Sequence, residues 1–406
     1  MSNTQKKNVP ELRFPGFEGE WEEKKLGEVA KIYDGTHQTP KYTNEGIKFL
    51  SVENIKTLNS NKYISEEAFE KEFKIRPEFG DILMTRIGDI GTPNIVSSNE
   101  KFAYYVSLAL LKTKNLNSYF LKNLILSSSI QNELWRKTLH VAFPKKINKN
   151  EIGKIKINYP KKQEQQKIGQ FFSKLDRQIE LEEQKLELLQ QQKKGYMQKI
   201  FSQELRFKDE NGKDYPDWKE KKLGDITEQS MYGIGASATR FDSKNIYIRI
   251  TDIDEKSRKL NYQNLTTPDE LNNKYKLKRN DILFARTGAS TGKSYIHKEE
   301  KDIYNYYFAG FLIKFEIDEQ NSPLFIYQFT LTSKFNKWVK VMSVRSGQPG
   351  INSEEYAKLP LVLPNKLEQQ KIAKFLDRFD RQIELEKQKI EILQQQKKGL
   401  LQSMFI

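Results

Sequence analysis

A 38-residue segment occurs twice in this chain, 204 residues apart, and both copies read as a long charged helix. The first runs from Glu164 to Phe201 and the second from Glu368 to Phe405, with 25 of the 38 positions identical. The repeat divides the chain into two similar halves, each a globular block followed by the same helix. At 406 residues, two blocks of this size can each bury a core of their own.

The duplication extends into the blocks. Glu11-Leu-Arg-Phe14, Trp21 and Lys24-Lys-Leu-Gly27 recur as Glu204-Leu-Arg-Phe207, Trp218 and Lys221-Lys-Leu-Gly224. Asp81-Ile-Leu-Met-Thr-Arg86 with Gly88 recurs as Asp281-Ile-Leu-Phe-Ala-Arg286 with Gly288. Tyr104-Tyr105 recurs as Tyr306-Tyr307, and Ile147-Asn148 ahead of Pro160 as Ile351-Asn352 ahead of Pro364. Between these anchors the halves diverge. One scaffold carries two different surfaces.

Short β-branched and aromatic runs (Gly46–Val52, Asp81–Thr85, Tyr104–Leu111, Ile155–Tyr159) alternate with Gly, Asn and Asp turns, which predicts strands. Helices are expected at Ser118–Thr138 and Ser322–Val341, so the blocks read as mixed α/β (α+β). In the repeat, Ile168, Phe172, Leu175, Ile179, Leu186, Leu189, Tyr196 and Ile200 fall on the four-three spacing of a coiled-coil seam. Ile372, Leu376, Phe379, Ile383, Ile390, Leu393, Leu400 and Met404 repeat it. Polar residues interrupt both seams at matching places, Glu182 and Lys193, then Glu386 and Lys397. A 38-residue helix is about 57 Å long, more than a block of this size can cover. The expected partner for the projecting stripe is the other copy, in an antiparallel intramolecular pair.

The net charge of +15 favours a polyanionic partner, because Lys and Arg clusters release counterions from phosphates. A uniformly Lys-rich proteome is the bland alternative. Absence of cysteine excludes disulfides and Cys-ligated zinc, and three scattered histidines give no metal-binding cluster. The polar start, Met1 to Pro10, reads as no signal peptide, and no apolar run reaches the ~18 residues of a membrane helix. The expected location is the cytoplasm.

No catalytic constellation emerges. Gly288-Ala-Ser-Thr-Gly292-Lys293-Ser294 resembles a P-loop but has three residues between its glycines where four are needed, and the charged, strand-like Tyr295–Tyr307 follows instead of a helix. Pro216-Asp217 and Glu220-Lys-Lys222 echo a nuclease metal site, but those carboxylates are too close in sequence to face each other from separate strands. No methyltransferase Asn-Pro-Pro-aromatic element is present. His37, His140 and His297 have no counterparts between the halves.

Binding remains. Basic, amide and aromatic residues interleave in the divergent loops and suit hydrogen bonds to base edges and phosphates. In the first half the candidates are Thr36, His37, Lys41 and Tyr42, with Lys145 and Lys146 of Phe143-Pro-Lys-Lys146. In the second half they are Arg240 of Tyr232–Phe241, Lys293, and Arg345 and Gln348 of Arg345–Gly350. Arg86 and Arg286, repeated at one spot, suit a scaffold or phosphate role.

The duplicated order of Trp…Lys-Lys-Leu-Gly, Gly80-Asp-Ile-Leu…Arg86-Ile-Gly88 and Pro…Glu-Gln-Gln-Lys-Ile…Leu-Asp-Arg-Gln-Ile resembles the specificity subunits of type I restriction-modification systems, over essentially the full length. That resemblance implies an N-terminal segment (1–20), target-recognition domains at 21–160 and 205–364, and conserved helices at 161–204 and 365–406. It implies partners: double-stranded DNA, two modification (methyltransferase) subunits around the helices, and restriction/translocase subunits outside. It implies no cofactor on this chain, with S-adenosylmethionine, Mg and ATP bound by those partners. The competing readings are a recognition chain fused to its own nuclease or methyltransferase, and a coiled-coil scaffold without a DNA role.

Overall fold

The computed structural model describes residues 8–298 and 303–406. The first residues of the polar start and part of the Tyr295–Tyr307 segment lie outside them. The chain forms two compact units, Met1–Lys185 with Glu386–Ile406, and Leu186–Leu385. Among the described residues, no helix is long and apolar enough to cross a membrane.

In the first unit a four-stranded antiparallel sheet has the order Ala30–Asp34, Leu108–Thr113, Ile82–Ile87, Asp89–Ile95. Its central strands are apolar on both faces, and alternation sends successive side chains to different cores. Ile82, Met84, Ala109 and Leu111 join the core built on the long helices. Leu83, Leu108 and Leu110 join a second core with Phe49, Phe69 and Tyr104. The second unit repeats the plan with Thr227–Tyr232, Leu312–Ile317, Ile282–Ala285 and Ser294–Ile296. There Ile282, Phe284, Ile313 and Phe315 face the helices while Leu283, Ala285 and Leu312 face away. Beside each sheet runs a parallel pairing, Ile47–Leu50 with Phe102–Tyr104 and Asn245–Ile248 with Asn305–Phe308.

The sequence suggested one strand at Tyr104–Leu111, but two strands share it. Tyr104 ends the parallel pairing and Leu108 starts a sheet strand. The expected helix Ser118–Thr138 is broken at Ser127, which adopts an extended conformation, and its Oγ donates to the Leu124 carbonyl. Ser322–Val341 likewise becomes Pro323–Phe329 and Ser333–Met342, with Thr330 and Thr332 hydroxyls taking the Tyr327 and Phe329 carbonyls. Small hydroxyl side chains compete for backbone groups and end helices.

The long helices are Lys162–Phe201 and Lys366–Ser403. Their Glu-Gln starts are fixed by the same bonds in both units. Buried Glu164 takes both Arg13 Nε and Nη2 at 2.7 Å, and buried Glu368 takes Arg206 at 2.8 and 2.9 Å. Gln165 donates to the Pro160 carbonyl and accepts the Asn117 N–H, while Gln369 donates to that of Pro364 and accepts the Ser322 N–H. The repeated Arg of the Glu-Leu-Arg-Phe motif is therefore a clamp on the helix start, where a carboxylate also suits the helix dipole.

Each unit holds a stretch of both helices running antiparallel. In the first, Asp176 meets Lys397 at 2.5 Å, Lys185 meets Glu386 at 2.6 Å, and Glu182 meets Lys389. In the second, Lys193 meets Asp380 at 2.6 Å. One member of each pair interrupts a seam (Lys397, Glu386, Glu182 and Lys193), and an opposite charge beside the seam of the other helix answers it. Shifting both members of Asp176–Lys397 by one repeat exchanges them into Asp380–Lys193. Burial opposes the charge of Asp176, yet Lys122 and Lys397 together hold its carboxyl below its ordinary value.

Ile168, Phe172, Ile372, Leu376 and Ile390 are buried, and Leu175, Ile179, Leu186, Leu189, Phe379, Ile383 and Leu393 half-buried. The helix ends also pack into the globular cores. Phe172 lies 5.8 Å from Phe405, which packs on Trp21 and Phe120, and Phe201 lies 5.3 Å from Phe325. Near those ends the buried position moves by one residue: Met197 and Leu401 are inside, whereas Tyr196 is exposed at the rim against Phe375 and Leu400 is half-buried. A straight helix drifts from a seven-residue repeat, and the drift surfaces where the globular core takes over from the helix partner.

Candidate nucleic-acid interface

In each unit three loops meet at the repeated arginine. The first leaves the outer sheet strand, at Gly35 in one unit and Gly233 in the other. Both glycines sit against the parallel strand end so closely that a Cβ would lie 2.4 Å from the Tyr104 carbonyl oxygen, or 2.3 Å from those of Phe308 and Ala309. Only glycine lets the loop begin there. The second is the turn after the central strand, at Gly88 and Gly288, with φ of +80° and +71°.

The third follows the short helix Ser128–Arg136 or Ser333–Met342 and ends at Ile147 or Ile351. It is fastened by main-chain bonds common to both units. The Gly88 N–H donates to Lys145 O and the Gly288 N–H to Pro349 O, both 2.9 Å. The Ile147 N–H donates to Arg86 O at 3.0 Å and the Ile351 N–H to Arg286 O at 2.9 Å. The neck closes through Leu139 N–H to Lys146 O (2.7 Å) and Gly350 N–H to Ser343 O (3.1 Å). Counted from these anchors, residues 140–145 and 344–349 are tips of equal length.

The arginine side chains differ. Arg86 is only 5 % exposed; its Nη1 pairs with Asp34, and its Nε donates to Ile147 O at 3.0 Å. Of the scaffold and phosphate roles expected of Arg86, the geometry favours the scaffold: the charge is paired indoors, and Arg86 ties the loop after Asp34 to the loop before Ile147. Arg286 is half-buried and donates Nε to Gly310 O at 2.9 Å. Its guanidinium lies 5.0 Å from the Tyr232 ring and 5.9 Å from the Phe311 ring, both exposed, and it has no carboxylate partner among the described residues. A planar cation stacked on aromatic rims is poised for phosphate or guanine.

The other candidates divide. Lys293 is 7 % exposed, donating to Ile253 O at 3.2 Å and pairing with Glu255 at 2.7 Å, so it braces the inside of the unit and is withdrawn as a DNA contact. Exposed Arg345 is held bidentately by Glu355, at 2.6 Å on both oxygens, and shapes its own loop. His37, Lys41, Tyr42, Lys146, Arg240 and Gln348 are exposed, and Thr36 and Lys145 half-buried. Thr36 bridges to Tyr105, and Lys145 lies 4.7 Å over the Trp135 ring. The Tyr232–Arg286–Phe311 stack is invisible in the sequence, because its members are far apart in the chain.

The profile of the family described as "Type I restriction modification DNA specificity domain" matches residues 18–191 and 215–395. The chain is 26% identical to the MjaVIII type I restriction enzyme specificity subunit of Methanocaldococcus jannaschii, over 97% of this chain and 93% of that one. It is 28% identical to the HindI specificity subunit of Haemophilus influenzae, over 47% of this chain and 41% of that one. Its fold is similar to a crystal structure of a type I restriction-modification S subunit from M. genitalium, with a TM-score of 0.66 at 16% identity, covering 98% and 99% of the two chains. It is similar also to a chain from a study of type I complex assembly and conformational transition, with a TM-score of 0.52 at 14% identity, covering 97% and 98%.

Proposed function

The chain belongs to the type I restriction-modification DNA specificity family, and from that premise we propose that its two units read the two unlike halves of one bipartite site in double-stranded DNA. The recognition modules are residues 21–160 and 205–364, and each reads through its three-loop face. The observation that carries this reading is the pairing of one framework with two faces: the loop anchors are common, while the tips and arginine environments differ. A scaffold without a DNA role gives no reason for unlike tips on common anchors.

The chain contributes recognition and no catalysis. Modification subunits dock on the helices and bring S-adenosylmethionine; restriction/translocase subunits join the complex and use Mg and ATP. Docking is supported by apolar helix positions off the seam. Leu181 and Leu188, and their counterparts Leu385 and Ile392, are exposed on otherwise charged helices. The cellular DNA places this work in the cytoplasm.

With the helices as spacer, module separation sets the distance between half-sites, as in other two-module readers. One heptad adds about 10 Å, or roughly three base pairs. The test is to map methylated sites when the chain is expressed with its modification subunits, before and after inserting a heptad following Gln192 and the matching heptad following Gln396. A longer spacer with both half-sites unchanged is expected; an unchanged spacer sinks the ruler. Exchanging residues 205–364 for another module is expected to alter one half-site only.

A further inference from the structure

The loop tip of the first unit is apolar and fully exposed. Phe143 is 104 % exposed and Val141 99 %, with Pro144 and Leu139 exposed beside them. Isolated exposed apolar residues are ordinary, but a Phe held clear of the surface on a fastened loop is not. The neck bonds at Leu139 and Lys146, the Gly88 bond to Lys145 and the Lys145 contact with Trp135 hold the base of this loop. His140 rests on Trp135, ring to ring at 4.2 Å. The tip therefore has little left to pack against within its own unit.

Its surroundings name the partner. From Lys137 to Lys149 the chain carries Lys137, Lys145, Lys146 and Lys149 and no acidic residue; Lys137 lies 3.9 Å from Glu151 and Lys149 3.5 Å from Asp34, whereas Lys145 and Lys146, next to the tip, have no carboxylate partner among the described residues. An apolar docking partner on a protein does not call for two lysines without carboxylate partners beside the tip; a nucleic acid does, since its stacked bases are apolar and its rim is phosphate. The counterpart of Phe143 in the second unit is Gly347, and the next position has Gln348 for Pro144. Equal loops on equal anchors thus present a hydrophobic wedge in one unit and an amide in the other.

We infer that Phe143 is an intercalating wedge, entering the duplex between two stacked base pairs in the half-site read by the first unit, while Lys145 and Lys146 hold the flanking phosphates. This rests on the DNA-reading function above and goes beyond it. The first half-site is distorted on binding, and its sequence is selected partly by how easily one base step opens, at a step the side chain does not read by hydrogen bonds.

The test uses the full chain assembled with its modification subunits and duplexes carrying the methylation-mapped site, with 2-aminopurine placed step by step through the first half-site. The wild type is expected to raise fluorescence at one step, where stacking is broken. Phe143→Ala should abolish that rise and weaken binding about ten- to a hundredfold, the range of losing one aromatic–base stack, with melting temperature unchanged. Phe143→Trp should keep the affinity, and its own emission should be quenched on binding. A signal at the methylated base itself belongs to base extrusion by the partner enzyme and should survive the substitution. Unchanged fluorescence and affinity in Phe143→Ala overturns the wedge, as does an affinity loss when the wild type shows no opened step. Weaker assembly with the modification subunits in the absence of DNA overturns it in favour of a protein contact. A wild-type complex that protects no DNA overturns the recognition reading itself, a separate failure.

Discussion

Arg86 and Arg286 hold the same place in two copies of one framework, and their surroundings are opposite. In the first unit Asp34 pairs with the guanidinium inside the protein, and an exposed apolar tip stands on the loop that Arg86 ties down. In the second unit Tyr232 stands where Asp34 would be, and the cation is left stacked and accessible. A repeated residue therefore guarantees a repeated main-chain task, here the bond to Ile147 or Ile351, but not a repeated side-chain role.

The largest effects are expected where the units are the same. Glu164→Ala and Glu368→Ala each strip a buried carboxylate from an arginine clamp, and each should cost about 3–5 kcal/mol in denaturant unfolding. Markedly unequal losses would break the idea of a common frame. The arginines should then separate the units. Arg86→Ala, which leaves Asp34 only the more distant Lys149 at 3.5 Å and frees the Ile147 carbonyl, is expected to cost about 2–4 kcal/mol of stability. Arg286→Ala should leave stability within about 1 kcal/mol and weaken DNA binding about tenfold, with a shallower salt dependence. A reversed pattern in calorimetry and salt-titrated binding would contradict the assignment.

A smaller effect concerns the helix pair. Asp176, held low by Lys122 and Lys397, contributes stability that is complete above the ordinary carboxylate pKa of ~3.9. That contribution is lost as pH falls below this value through the depressed folded one. Asp176→Asn should cost about 1–2 kcal/mol at neutral pH and flatten the acid limb of the stability profile. The smallest effect is at the tip: Gln348→Ala should relax only the second half-site, by about 1 kcal/mol at one base position, as read in a binding-site selection.

The two-unit plan, the helices and the polar breaks in their seams were legible because they rest on periodicity and on exact repetition. The Glu-Gln helix starts were visible as a motif, though their Arg partners are some 150 residues away and came only from the fold. Arg86 and Lys293 misled because sequence shows a charge but not the carboxylate that folding brings to it. The segment Phe143-Pro-Lys-Lys146 was legible as basic and aromatic, but only its lysines stood out as contacts, because sequence does not show how far a side chain stands clear of the surface. Its exposure follows from the neck at Leu139 and Lys146, which fixes a loop too short to fold back over its own tip.

The bonds that fasten the third loop in both units run between peptide groups, so this shared part of its fastening does not depend on which side chains occupy the six tip positions. Mutation can sample the tips while these main-chain bonds persist, so the face offered to DNA can change without the framework being rebuilt. A restriction system built this way can change the address it reads while keeping the machine that carries it, which is the form of variation an arms race against invading DNA rewards.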